Sequence, residues 1–145
     1  MSPSNPLHSN SAVNVSLAGA QAAIAAAMEA AAGIGVRACI AVCDAGSNTV
    51  ATARMDGAPI LSLEIALNKA WTVTQFNGLP TSSWWPMIEG EPSLVHGITH
   101  TPRLVVFGGG EPIRIGDALA GAVGVSGGSA EQDVLIARAG AAALA

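Results

Sequence analysis

Lys69 is the sole lysine of this 145-residue chain, and it falls on the apolar side of a helical pattern. At 100° per residue Ser62, Ile65, Ala66, Lys69, Val73 and Phe76 share one arc, whereas Glu64, Asn68 and Gln75 share another. An ammonium among apolar neighbours needs a counter-charge or a route to water. Three readings are open: a snorkelling side chain, an internal salt bridge to Asp44 or Asp56, or a cation at a pocket edge that holds a ligand carboxylate or acts as a catalytic amine. Arg54 and Asp56 stand two apart and project to one side of a strand, where they either pair with each other or line a site.

Two histidines, His96 and His100, lie in the segment from Gly78 to Pro102 together with Trp84, Trp85 and Met87. Its prolines read as a long loop, and long loops in small domains are disproportionately functional. The adjacent tryptophans suit either the cover of a flat hydrophobic ligand or a buried surface of self-association. Gly97 and the Ile98-Thr99 pair argue against one helix presenting both imidazoles. Two glycine clusters complete the set, Gly108, Gly109 and Gly110, and Ser126, Gly127 and Gly128. Each serves either as a bend or as a place where a ligand meets bare backbone. After the second cluster, Ser129 and Gln132 form a capping box at a helix start, where free amides can hold an anion.

The elements that position these residues follow from periodicity. Ser16 caps an alanine-rich helix over 17–32, ended by Gly33 and Gly35. Residues 37–44 and 49–55 read as a hairpin, and Pro59 opens a helix to about Asn77. The β-branched runs 103–107, 112–115 and 118–126 read as three further strands, with a Gly116-Asp117 turn, before the final helix. The order predicts an α+β domain with a five-stranded antiparallel sheet packed by helices, a mobile or oligomer-draping arm over residues 1–15, and one domain over 16–145.

Composition narrows the function classes. A net charge of −4 lacks the concentrated basic face that nucleic acid requires. No apolar run reaches a membrane span, and no basic segment precedes an apolar one as in a secretory signal, so the expected location is cytoplasmic. With half the residues hydrophobic and 11% charged, self-association to a homo-oligomer is expected. Cys39 and Cys43 sit roughly 13 Å apart along a strand, too far for a disulfide. His8 reads as a solvated side chain, and the spacing of cysteine and histidine fits no structural zinc site.

The motifs IAVCDAGSN (40–48), ARMDGAP (53–59), NKAWT (68–72), FGGGEPI (107–113) and GAVGVSGGSAEQD (121–133) resemble the GlcG/HbpS-like family, often called a haem-degrading domain. The resemblance runs in order over residues 16 to 144. It extends to the C-terminal domain of PduO-type corrinoid adenosyltransferases and to proteins of glycolate or aromatic catabolic operons. It implies a profilin-like fold, oligomers, and a small-ligand-binding protein that takes haem or a related tetrapyrrole. Arg54, Lys69 or Arg103 would then face the propionates, and His100 or His96 would be the axial ligand. The alternative is a catabolic enzyme acting on a small carboxylate or aromatic-pathway metabolite by proton transfer or hydrolysis. There Arg54 and Lys69 would hold the acid, and Asp44, Asp56 or a histidine would move protons.

Overall fold

A computed structural model describes residues 5–145; the first four residues of the expected arm lie outside the described residues. The chain opens with α1 (Leu17–Gly33), β1 (Cys39–Asp44), β2 (Thr49–Arg54) and α2 (Leu61–Gln75) and closes with α5 (Ala130–Ala142). Between α2 and α5 come a 3₁₀ turn (Thr81–Ser83), the short helices α3 (Trp84–Ile88) and α4 (Pro92–Ile98), and strands β3 (Gly110–Ile115) and β4 (Ala118–Ser126). The sheet order is β2-β1-β4-β3, antiparallel throughout.

Alternation along β1 assigns the faces. Ile40 and Val42 join Val123, Val125, Ile113 and Ile136 in the core beneath α1 and α5. Cys39, Ala41 and Cys43 face the other way, toward Ala66, Ala70 and Val73 of α2. Both thiols are free and buried. Small residues set the helix spacing. A Cβ at Gly124 would overlap the Ala66 carbonyl, so α2 lies directly on β4. On the opposite face, Gly140 of α5 meets the Ala23 carbonyl and Ala27 of α1. Val15 is buried and donates its amide to Ala120 O at 2.9 Å, which ties the start of α1 to the sheet.

Four strands stand where five were expected. The run 103–107 is buried at Val105 but does not enter the sheet, because Arg103 adopts φ 67° and the Val105 amide donates to the Thr72 hydroxyl at 3.1 Å. A β-branched run that spends its amide on a side chain has no ladder to join. The expected loop over 78–102 is instead mostly helical turns. Pro92 occupies the first turn of α4, where its missing donor costs nothing, and Gly97 does not stop that helix. His96 therefore lies on α4, and His100 follows its end.

Candidate functional site

Lys69 is fully buried, and its partner is Asp133, not Asp44 or Asp56. Nζ donates to Asp133 Oδ2 at 3.0 Å and to the Val125 carbonyl at 2.8 Å, and the Phe107 ring centroid lies 4.9 Å away. Asp133 Oδ1 accepts from the Gly128 amide at 2.9 Å. One ion pair thus joins α2 to the start of α5 past the sheet. Burial pushes the Lys69 ammonium below its usual range and the Asp133 carboxyl above its own; each is countered by the other's charge.

This pair accounts for Gly109 and Gly128, one glycine in each cluster, while a Cβ at Gly127 would meet the Arg37 carbonyl. Gly109 has φ +125°, and a Cβ there would stand 2.6 Å from Lys69 Nζ. A Cβ at Gly108 would press on Val134, and one at Gly110 on Thr81 and the Lys69 carbonyl. In the second cluster Gly128 serves Asp133, and the Ser129 amide serves Gln132 in the capping box, so the amides expected to hold an anion are engaged within the protein. Asp44 closes its own turn by accepting from the Gly46 and Asn48 amides, both at 3.0 Å. Arg54 and Asp56 border a groove at the end of α1 and form no salt bridge with each other, and the register pairs Arg54 with Cys39, whose thiol faces α2.

A second carboxylate, Glu111 on β3, is buried and accepts from Arg138 Nε at 3.1 Å. Burial raises its pKa above the ordinary glutamate value, and Arg138 pulls it partly back. The native state therefore binds the proton more tightly than the unfolded chain. That contribution is fully present below about pH 4.3 and is lost as pH rises through the folded value. Urea titrations between pH 4 and 7 are expected to show wild type losing stability relative to Glu111→Gln as pH rises; a difference that grows in favour of wild type has the wrong sign.

The tryptophan segment builds the feature with the chemistry of a binding site. Trp71, Thr72 and Gln75 of α2, with Phe76 just after it, face Trp84, Ile98, Thr101 and Leu104 across a mostly apolar cleft of about 270 Å³. Phe76 and Trp84 rings stack at 4.8 Å, tilted by 50°. Trp84 is 4% exposed, and its Nε1 has no hydrogen-bond partner, a buried donor without an acceptor. Beside the cleft, Arg103 lies 4.7 Å from the Trp71 ring centroid and donates to Asn68 Oδ1 at 3.1 Å. Its φ of 67° in a residue with a side chain is a strained conformation of the kind that gathers at functional sites.

Thr72 fixes this wall. Its hydroxyl donates to Asn68 O at 2.7 Å and accepts from the Val105 amide at 3.1 Å. Thr72→Val leaves that amide buried without an acceptor, and the expected cost is about 1–3 kcal/mol in urea unfolding. A loss under about 0.5 kcal/mol, ordinary for a surface change, would mean the hydroxyl does not hold the segment.

Of the residues singled out in the sequence, Trp84 lines this cleft and Arg103 flanks it, while Trp85, half exposed, borders a neighbouring hollow of about 260 Å³ with Phe107 and Gly108. His96 and His100 are exposed on the segment whose Ile98 and Thr101 wall the cleft. No cluster of three metal-ligating side chains occurs among the described residues. Trp71 and Thr72 carried no assigned role in the sequence, although both fall in the NKAWT motif.

Residues 15–142 match the family model described as haem degrading protein HbpS-like. An uncharacterised 15.0 kDa protein from the dhaT-dhaS intergenic region of Citrobacter freundii is 41% identical over 120 residues, covering 81% of this chain and 80% of that one. The crystal structure of Klebsiella pneumoniae protein ORFY superposes with a TM-score of 0.88 at 36% identity, over 99% of this chain and 97% of the other. A crystal structure of PduOC in complex with haem gives a TM-score of 0.81 at 31% identity, over 90% of this chain and 95% of that one. Fold, motifs and the extent of these matches agree: the chain belongs to the HbpS-like family.

Proposed function

We propose that this protein binds haem or a related tetrapyrrole and that the aromatic cleft holds one edge of the macrocycle. The aromatic lining of the cleft, with Trp71, Phe76 and Trp84 set in a mostly apolar wall, is the observation that carries the assignment. An apolar ligand with a peripheral carboxylate supplies stacking area for Trp71 and Phe76. Arg103, fixed over Trp71, suits a propionate. The relative seen in complex with haem supports the ligand class.

The cleft tests the fit. Its volume, about 270 Å³, lies just under the ~300–1,000 Å³ of pockets that enclose drug-sized ligands, so it takes part of a macrocycle and leaves the remainder at the surface. His100 and His96, exposed beside it, are the candidate axial ligands. Exposed Phe76, Trp85, Met87 and Phe107 lie on neighbouring segments and favour self-association as the cover. No helix among the described residues is long and apolar enough to cross a membrane. The reading as a catabolic enzyme with Arg54 and Lys69 on one acid is not favoured, because Lys69 is fully buried and committed to Asp133.

A hemin titration followed by absorbance tests the proposal. Saturable binding with a shifted Soret band, altered in His100→Ala or His96→Ala, is the expected result. Absence of saturable binding overturns it.

A further inference from the structure

The two edges of the sheet differ. β3 is a poor template for another strand: Pro112 stands within it, Glu111 and Arg114 charge it, its register with β4 shifts after Ile113, and the Gly110 amide donates to the Thr81 hydroxyl at 2.8 Å. β2 has no proline, a register shift only near its start, and one charged residue, Arg54, at its end.

β2 pairs with β1 alone, and the alternation of the ladder decides which of its groups stay free. The Met55 amide donates to the Ala38 carbonyl at 3.0 Å, and the Val125 amide donates away from β1, to Gly109 O at 2.8 Å. Ile40 stands opposite both Ala53 and Val125, so the hydrogen-bonded pairs of the hairpin are Ala38 with Met55 and Ile40 with Ala53. The amides and carbonyls of Thr52 and Arg54 therefore point off the sheet, and both residues are exposed. Among the described residues, no other strand or turn bonds to them. Unpaired backbone groups in such a row are a template for another strand.

We propose that this edge pairs with the same edge of a second copy, antiparallel about a two-fold axis at Ala53, so that one sheet runs through both copies. In that register Thr52 and the partner's Arg54 exchange both backbone bonds, and the reverse pair does the same, about four bonds in all. The central pair, Ala53 with the partner's Ala53, is a close one, at about 4.5 Å between Cα atoms, which suits a small side chain. An axis at Arg54 would set two arginines directly opposite, and an axis at Thr52 would draw Val50, at the register shift, into the ladder. The start of α2 favours a second copy over a foreign strand. Pro59 O lies 4.0 Å from Cys39 Sγ, and Cys39 is opposite Arg54, so α2 begins beside this end of β2, with Ile60 83% and Leu61 65% exposed. A two-fold axis at Ala53 sets these apolar residues of both copies on either side of it, on one face of the sheet, and a strand from an unrelated protein brings no such match.

Sedimentation velocity of the full chain over a range of concentrations, combined with thiol cross-linking, tests the pairing. Thr52→Pro removes an outward donor at a position where an edge strand tolerates proline. It is expected to leave the far-UV circular dichroism unchanged and to raise the dimer dissociation constant about tenfold or more, through the bonds lost in both copies. Ala53→Cys is expected to give a disulfide-linked dimer under mild oxidation and Thr49→Cys none, a readout that stands even if Thr52→Pro does not fold. A monomer at every concentration, or a dimer untouched by Thr52→Pro and not cross-linked by Ala53→Cys, would overturn the proposal. So would an assembly dispersed by Trp85→Ser but not by Thr52→Pro, which would place self-association on the aromatic surface and leave the edge to a strand of another protein.

Discussion

Lys69→Met is expected to destabilise the fold by about 3–5 kcal/mol, the cost of leaving a buried charge without its partner. The Asp133 carboxylate would remain 3% exposed, still accepting from Gly128 but without the ammonium that balances it. The loss has a pH signature. Without the lysine, burial raises the folded pKa of Asp133 further, so the proton binds the folded variant more tightly than the unfolded chain. The variant's stability is then greatest below the ordinary aspartate range, about 3.9, and falls as pH rises through the folded value. The deficit relative to wild type therefore grows from pH 4 to pH 7. Lys69→Met/Asp133→Asn should recover much of it, since the amide carbonyl can still accept from Gly128 and no charge is buried. Equal deficits at both pH values, or no recovery in the double variant, would show that the lysine stabilises through packing alone.

Gly109→Ala is the second large effect, at roughly 3 kcal/mol or more. The residue has φ +125°, where a side chain is strained by about 1–3 kcal/mol. The new Cβ would also stand 2.6 Å from Lys69 Nζ and 2.9 Å from Asp133 Cβ, and would press on the Val125 carbonyl, adding an overpacking cost of about 1–3 kcal/mol. Gly116→Ala separates the two terms. That glycine has φ +61° with nothing within 4 Å of the added carbon, so it is expected to lose only about 1–2 kcal/mol, the strain of a left-handed residue. Urea unfolding of both variants checks the difference; equal losses would mean that the close approach to the ion pair carries no cost.

These two residues show how far the sequence could be read. Lys69 was visible as a charge on an apolar arc, because helical periodicity is local. Its partner was not, since Asp133 lies 64 residues away and also looks like an acid placed for the helix dipole. The glycines of 108–110 were legible as a place of close approach, but what approaches is the protein's own Lys69 and Asp133. The capping box of Ser129 and Gln132 was readable in full, because both hydrogen bonds span three residues.

The sheet was readable only where amides pair with strands. Residues 103–107 have the composition of a strand, yet the Thr72 hydroxyl takes the Val105 amide, and composition does not reveal a side-chain acceptor on another element. Likewise the proline-rich segment looked like a loop, although Pro86 and Pro92 stand in first turns, where a helix tolerates them. The aromatic cleft depends on that misread segment. Adjacent tryptophans mark Trp84 as a cover for a flat ligand, but its facing wall of Trp71 and Leu104 exists only in the tertiary fold.

The most direct measurement is the hemin affinity of wild type beside Trp84→Phe, Trp71→Leu and Arg103→Met, followed by Soret absorbance. Trp84→Phe keeps an aromatic ring beside Phe76 while it removes the indole N–H and trims the buried ring system. Haem seated in the cleft predicts saturable binding weakened about tenfold or more by Trp71→Leu, and by smaller factors in Trp84→Phe and Arg103→Met, at roughly 0.5–1 kcal/mol for each. Tight hemin binding indifferent to all three variants would contradict the cleft as the site.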